Sequence, residues 1–160
     1  RCATEILNRE SGTNPYLLHE ELQEAMQDNV GIVRSDELLI EGIEQLDKFK
    51  EAYKDVKADG TSQFNPGWHE ALSLRNLIIT AEAVAKSALL REESRGAHTR
   101  IDFPGEREEG LEYNIVVSKQ TDGLMKTEKV HRPKGDEELM RIAHSTIDEL
   151  EQEVSSERSK

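Results

Sequence analysis

Residues 66–95 carry the longest helical pattern in the chain, and its apolar positions are too many for one stripe. They include Trp68, Ala71, Leu72, Leu74, Leu77, Ile78, Ile79, Ala81, Val84, Ala85, Ala88 and Leu89. A helix this apolar has to be covered on more than one side, so the rest of the chain must supply the cover. At 1.5 Å per residue it would span about 45 Å. Alanines at 81, 83, 85 and 88 would let a neighbouring element approach closely. Asn65-Pro66 supplies the start signal, an N-cap side chain followed by proline at the first helical position.

The same signal, Asn14-Pro15, opens an earlier helix with Leu18, Leu22, Ala25 and Met26 at helical spacing, ended by Gly31. Ser35 caps another, with Asp36 and Glu37 at its positive end. Its stripe is Leu39, Ile43, Leu46, Phe49, Tyr53 and Val56, and Asp59-Gly60 ends it. Three helices on short loops predict a mainly α fold, an antiparallel bundle over residues 14–104, with 1–13 as a poorly packed lead-in.

After Pro104 the composition shifts. Gly105–Gly110 reads as a charged, solvated loop, and Tyr113–Val117 as a strand. Thr121-Asp122-Gly123 is a hairpin turn, with Leu124–Val130 as the returning strand, so residues 105–133 form a loop and a β-hairpin. Two strands alone are marginal in water, so the hairpin should lean on the bundle. Residues 134–160 form a C-terminal helix and tail, with Leu139, Ile142, Ala143, Thr146, Ile147, Leu150 and Val154 as its stripe and fraying from Ser155.

Charge excludes several partners. With 33 acidic against 21 basic residues the net charge is -12, a poor match to nucleic acid or to an anionic membrane surface. No apolar run approaches the roughly 20 residues needed for direct membrane insertion. Cys2 is the only cysteine, so no internal disulfide forms, and no iron-sulfur or cysteine-rich zinc site can be built. The chain starts at Arg1 rather than methionine, which reads as a processed product or a piece of something longer.

The chemically dense stretch is Glu93-Ser94-Arg95-Gly96-Ala97-His98-Thr99-Arg100-Ile101-Asp102-Phe103-Pro104. Gly96 is expected to end the long helix at a positive φ, with Arg91 and Arg95 in its last turn. Arg95, His98 and Arg100 suit a dicarboxylate or an acidic interface, because guanidinium groups bind carboxylates through two parallel hydrogen bonds. The plainer reading is internal pairing, Arg100 with Asp102 or Glu93, and a Ser94 hydroxyl bonded to the helix backbone. No two of His19, His69, His98, His131 and His144 have ligand spacing, so no metal site is expected. His19 should face solvent, and His69 should pack or cap beside Trp68. There is no Gly-x-Gly-x-x-Gly, no phosphate-binding loop and no Gly-x-Ser-x-Gly, so this chain is expected to hold no cofactor and no catalytic residue of its own.

Three stretches carry a family resemblance. Leu22–Arg34, Glu70–Leu77 and above all Ala85–His98 are similar, in order, to the C-terminal region of succinate dehydrogenase and fumarate reductase flavoprotein subunits. The resemblance covers residues from about 14 to 104 and implies a spectrin-like bundle attached to flavin and capping domains. It implies a parent that interconverts succinate and fumarate on FAD and passes electrons through an iron-sulfur subunit to quinone. Such an oxidoreductase belongs to electron transport and the tricarboxylic acid cycle, and its complex would be cytoplasmic and membrane-associated. The parts that hold flavin and dicarboxylate lie upstream in the family. The expected role of the run here, Glu93, Ser94, Arg95, Gly96, His98, Arg100 and Asp102, is therefore interdomain positioning, with this piece inactive alone.

Two alternatives stand beside it. L-aspartate oxidases share the three-helix region and the Ser-Arg-Gly core but usually differ where Ala97 and Arg100 stand here. An acidic bundle could also be a stand-alone protein-binding module.

Overall fold

The computed structural model describes residues 3–157. Helices α1 (Pro15–Val30), α2 (Asp36–Tyr53) and α3 (Pro66–Leu90) pack pairwise as an antiparallel three-helix bundle. All three start signals form as caps. Asn14 Oδ1 accepts from Tyr16 N–H at 2.9 Å, Ser35 Oγ from Leu38 N–H at 3.3 Å, and Asn65 Oδ1 from Trp68 N–H at 2.9 Å. The core is Leu18, Leu22 and Val30 of α1, Leu39 and Leu46 of α2, and Ala71, Leu74, Ile78, Ala81, Ala85 and Ala88 of α3. Ala71, Ala81, Ala85 and Ala88 of α3 are all buried in this core. The breadth of its apolar pattern overstates its burial, since Leu77, Ile79 and Val84 remain exposed. Buried Glu82 pairs with Lys50 at 2.7 Å and Lys86 at 2.6 Å, which holds its carboxyl below the usual range although burial works the other way.

Helix α2 stops at Tyr53, earlier than its stripe predicts. The chain then runs extended so that Val56 and Ala58 enter the core. The lead-in is packed rather than loose. Residues Ala3–Ile6 make a 3₁₀ turn, Ile6 is buried, and Trp68 Nε1 donates to Ala3 O at 2.9 Å. Thr13 N–H donates to Asp55 O at 2.9 Å and Lys57 N–H to Thr13 O at 3.0 Å, so the lead-in is stitched to the segment after α2. Gly12 is required there, because a Cβ would meet Asp55 O at 2.1 Å.

The long helix ends at Leu90 rather than at 95, and Arg91 is already extended at φ -90°, ψ 103°. Gly96 does have positive φ, +59°, but as part of a tight turn rather than a helix cap. In that turn Arg95 N–H donates to His98 O at 2.9 Å and His98 N–H to Arg95 O at 3.0 Å. Two short strands, β1 (Val33–Arg34) and β2 (Thr99–Arg100), pair in parallel with Val33 opposite Thr99 and Arg34 opposite Arg100. They tie the end of α1 to the loop after α3. The hairpin forms from β3 (Tyr113–Lys119) and β4 (Met125–His131), and β3 lies against α3.

The chain divides into two compact units, residues 1–130 and 131–160. In the second unit the expected single helix is two, α4 (Glu137–His144) and α5 (Ile147–Glu157). The break is a capping box. Glu149 Oε2 accepts from Thr146 N–H at 2.7 Å, and Thr146 Oγ1 accepts from Glu149 N–H at 3.3 Å. The end of the predicted frayed tail, residues 158–160, lies outside the described residues, as does Cys2. Among the described residues no helix is long and apolar enough to cross a membrane.

Candidate functional site

The extended segment after α3 folds back over the end of that helix and gathers charge. Its centre is Arg100, fully buried on β2. Arg100 Nη1 donates to the carbonyls of Ala88 and Leu89, each at 3.1 Å, and of Arg91 at 3.2 Å. Those are orphan acceptors at the C-terminus of α3, where a cation is favoured by the helix dipole. Its other nitrogens reach Asp102, at 2.9 Å from Nε and 2.7 Å from Nη2, and Asp36 on α2. Asp102 in turn accepts from Asp36 N–H at 3.0 Å. One arginine thus ties α3, the first turn of α2 and β2. The Asp102 carboxyl is held far below its usual range by the hydrogen bonds from Arg100. The internal pairing with Asp102 that the sequence offered is present. The pairing with Glu93 goes instead to Arg91 and Arg95.

Glu93 is 1% exposed. Its carboxylate accepts from Arg91, from Arg95 Nη2 at 3.1 Å and from Arg107 N–H at 3.0 Å. Burial works to raise its pKa, but these donors outweigh it and hold the group at about 2. Gly110 lies so close that a Cβ there would meet Glu93 Oε1 at 2.1 Å. The stretch read as a solvated loop therefore includes a buried glycine in a 3₁₀ turn, Glu108–Leu111, packed on a buried carboxylate. Arg95 adds Glu106 at 2.9 Å and Arg107 O at 3.1 Å. Phe103 is flanked by two guanidinium groups, Arg100 at 4.8 Å and Arg107 at 5.0 Å from its centroid.

Ser94 bonds the loop rather than the helix. Its Oγ accepts from Arg100 N–H at 2.8 Å and lies 3.0 Å from Phe103 O. Among the described residues its partners are backbone groups and not a base, so a nucleophilic role has no support. His98 lies in a groove beside α3, with Nε2 3.1 Å from Arg91 O and Nδ1 2.6 Å from Arg34 Nη1. A carbonyl can only accept, so Nε2 carries the proton and Nδ1 accepts from Arg34. Burial first, then the charges of Arg34, Arg100 and Arg91, lower the pKa of His98.

The sequence reading brought Glu93, Ser94, Arg95, Gly96, His98, Arg100 and Asp102 together, and the fold does place them in one cluster. It missed Arg34 and Asp36 as members, because both lie more than sixty residues upstream of their partners, at the end of β1 and the start of α2. The signals present in the sequence are the end of the family-like stretch Leu22–Arg34 for Arg34 and the Ser35 cap for Asp36. His19, expected in solvent, contacts Glu70 of α3 at 2.5 Å. His69 packs beside Trp68, with ring centroids 5.6 Å apart. Among the described residues no cluster suits a metal ion.

Among the described residues, the parallel strand pair and the helix after it do not fit a flavin. Each parallel strand is two residues long, and the helix that follows β1 has its N-terminal N–H groups engaged by Asp102 and Ser35. A dinucleotide needs that terminus open behind a glycine-rich turn.

Comparison with known proteins places these features. The family described as fumarate reductase flavoprotein C-term matches residues 19–155. The succinate dehydrogenase flavoprotein subunit of Coxiella burnetii is 42% identical over 91 residues, 56% of this chain and 15% of that protein. The fumarate reductase flavoprotein subunit of Escherichia coli is 35% identical over 99 residues, 61% of this chain and 16% of that protein. Among solved structures, the Mycobacterium smegmatis Sdh1 in complex with UQ1 matches with a TM-score of 0.80 at 34% identity, covering 93% of this chain and 25% of that one. The chain thus spans less than a fifth of the length of these curated relatives.

Proposed function

Since this chain belongs to the fumarate reductase flavoprotein C-terminal family, we propose that its parent is the FAD-dependent flavoprotein subunit of a succinate dehydrogenase or fumarate reductase. The chain is the C-terminal helical domain of such a subunit. The parent interconverts succinate and fumarate, and its partners are an iron-sulfur subunit and a quinone-reactive, membrane-associated complex. Within it this domain positions the flavin and capping domains and does no chemistry itself.

The observation that carries this reading is the division of labour in the cluster. Arg100, Asp36, Asp102 and Glu93 are engaged within the chain and make the loop after α3 rigid. Arg95 and His98 are held on that rigid frame, only partly buried. A frame of this kind suits a fixed contact between domains better than a reaction, since no nucleophile, base or open anion hole is assembled among the described residues. Arg95 and His98 face the flavin or capping domain, and Arg100 acts through them as a positioning residue.

The test is Arg95→Ala in the full parent subunit, read by flavin retention and by succinate–fumarate turnover. Both should fall, with this domain still folded by circular dichroism. Unchanged retention and turnover would remove the positional role. Fumarate reduction by these 160 residues alone would remove the non-catalytic assignment.

A further inference from the structure

The arginines around the loop after α3 are not alike. Arg91 pairs with Glu93, Arg95 with Glu93 and Glu106, Arg100 with Asp36 and Asp102, and Arg107 with Glu109. Arg34 pairs with no carboxylate among the described residues. Its Nε donates to Val30 O at 3.2 Å and Gly31 O at 2.6 Å, capping α1, and its Nη1 donates to His98. Its Nη2 has no partner among the described residues. The helix end offsets only about half an elementary charge. Burial, and then the nearby charge of Arg100, push the Arg34 pKa down. In a chain of net charge -12, a half-buried guanidinium without a counter-ion is out of place.

Arg34 and His98 line an open groove with Thr80, Val84, Ser87 and Arg91 of α3 and its end. The Thr80 hydroxyl is engaged with Asn76 O at 2.9 Å. The Ser87 hydroxyl has no partner among the described residues and is available as a donor. We infer that this groove is a carboxylate seat, in which Arg34 and the Ser87 hydroxyl bind one carboxylate supplied from outside these 160 residues. Two sources share that chemistry, an Asp or Glu side chain of the upstream polypeptide and a free small carboxylate. The side-chain source rests on the proposed parent; the seat itself does not.

The test is an NMR titration of the 160-residue chain with nitrogen-15 arginine and histidine, sodium acetate replacing sodium chloride at constant ionic strength. The Arg34 Nε–H signal should move saturably, with the His98 ring signals following, while exposed Arg75 stays still. Arg34→Gln would also remove the α1 cap, so Val84→Glu carries the control. It leaves the cap intact and puts a carboxylate on the groove's own wall. The Arg34 signal should then be displaced from the start and no longer respond to acetate. In the parent subunit, an Arg34 signal already displaced without acetate assigns the seat to an upstream side chain, and one that still responds assigns it to a free carboxylate. An Arg34 response no larger than that of Arg75, or one that persists in Val84→Glu, overturns the seat. A responsive seat in a parent without succinate–fumarate turnover leaves the seat standing and overturns the proposed function instead.

Discussion

Arg34 Nη1 donates to His98 Nδ1 across 2.6 Å, joining the strand after α1 to the loop after α3 and fixing the histidine as its neutral Nε2–H tautomer. A protonated ring would turn an acceptor into a donor facing a guanidinium. The contact is therefore a structural statement about charge as much as about position.

His98 should stay neutral below pH 6.5, where a free histidine gains its proton. A folded pKa below the unfolded one means that the unfolded state binds the proton first. The contribution of His98 is then complete above pH 6.5 and is lost as pH falls through the lower folded value. Nitrogen-15 chemical shifts of the ring between pH 7 and 5 would read this directly. A ring protonated at pH 6.5 or above, or the Nδ1–H tautomer, would contradict the assignment.

Arg100→Leu should cost about 3–5 kcal/mol, because it strands two carboxylates and three helix-end carbonyls at once. Asp36→Asn should cost about 1 kcal/mol or less, because that side chain is 55% exposed. Urea unfolding of the two variants at neutral pH gives the comparison. Equal losses would mean that burial of Arg100 is not what holds the loop to the bundle.

Glu93→Gln should cost on the order of 3 kcal/mol at neutral pH, since it leaves Arg91 and Arg95 without their shared carboxylate. The gap between variant and parent chain should be constant above pH 4.5 and close as pH falls toward 2. The sign follows from the depressed pKa: the unfolded chain takes up the proton first, so acid favours unfolding. Urea midpoints measured from pH 7 to pH 2.5 would show the convergence, and a gap independent of pH would place the loss elsewhere.

The bundle was legible because its signals are local. Asn14, Ser35 and Asn65 cap within three residues of themselves, and the buried face of α3, Ala71, Leu74, Ile78, Ala81, Ala85 and Ala88, recurs at steps of three and four. Helix ends were less legible. The stripe of α2 includes Val56, but that residue reaches the core from an extended segment, because pairing with Thr13 competes with the helix there. The glycine that seemed to end α3 serves a turn six residues beyond its true end.

The sequence by itself determined the three helices, the hairpin, the acidic surface and the membership of Glu93–Asp102 in one cluster, since each follows from periodicity, caps or residues adjacent in the chain. Tertiary structure alone decided which charge meets which. Arg100 takes Asp36, Glu93 takes Arg91 and Arg95, and Arg34 is left with a histidine and no carboxylate among the described residues. The attraction between charges depends on separation and burial, and neither is written in their order along the chain.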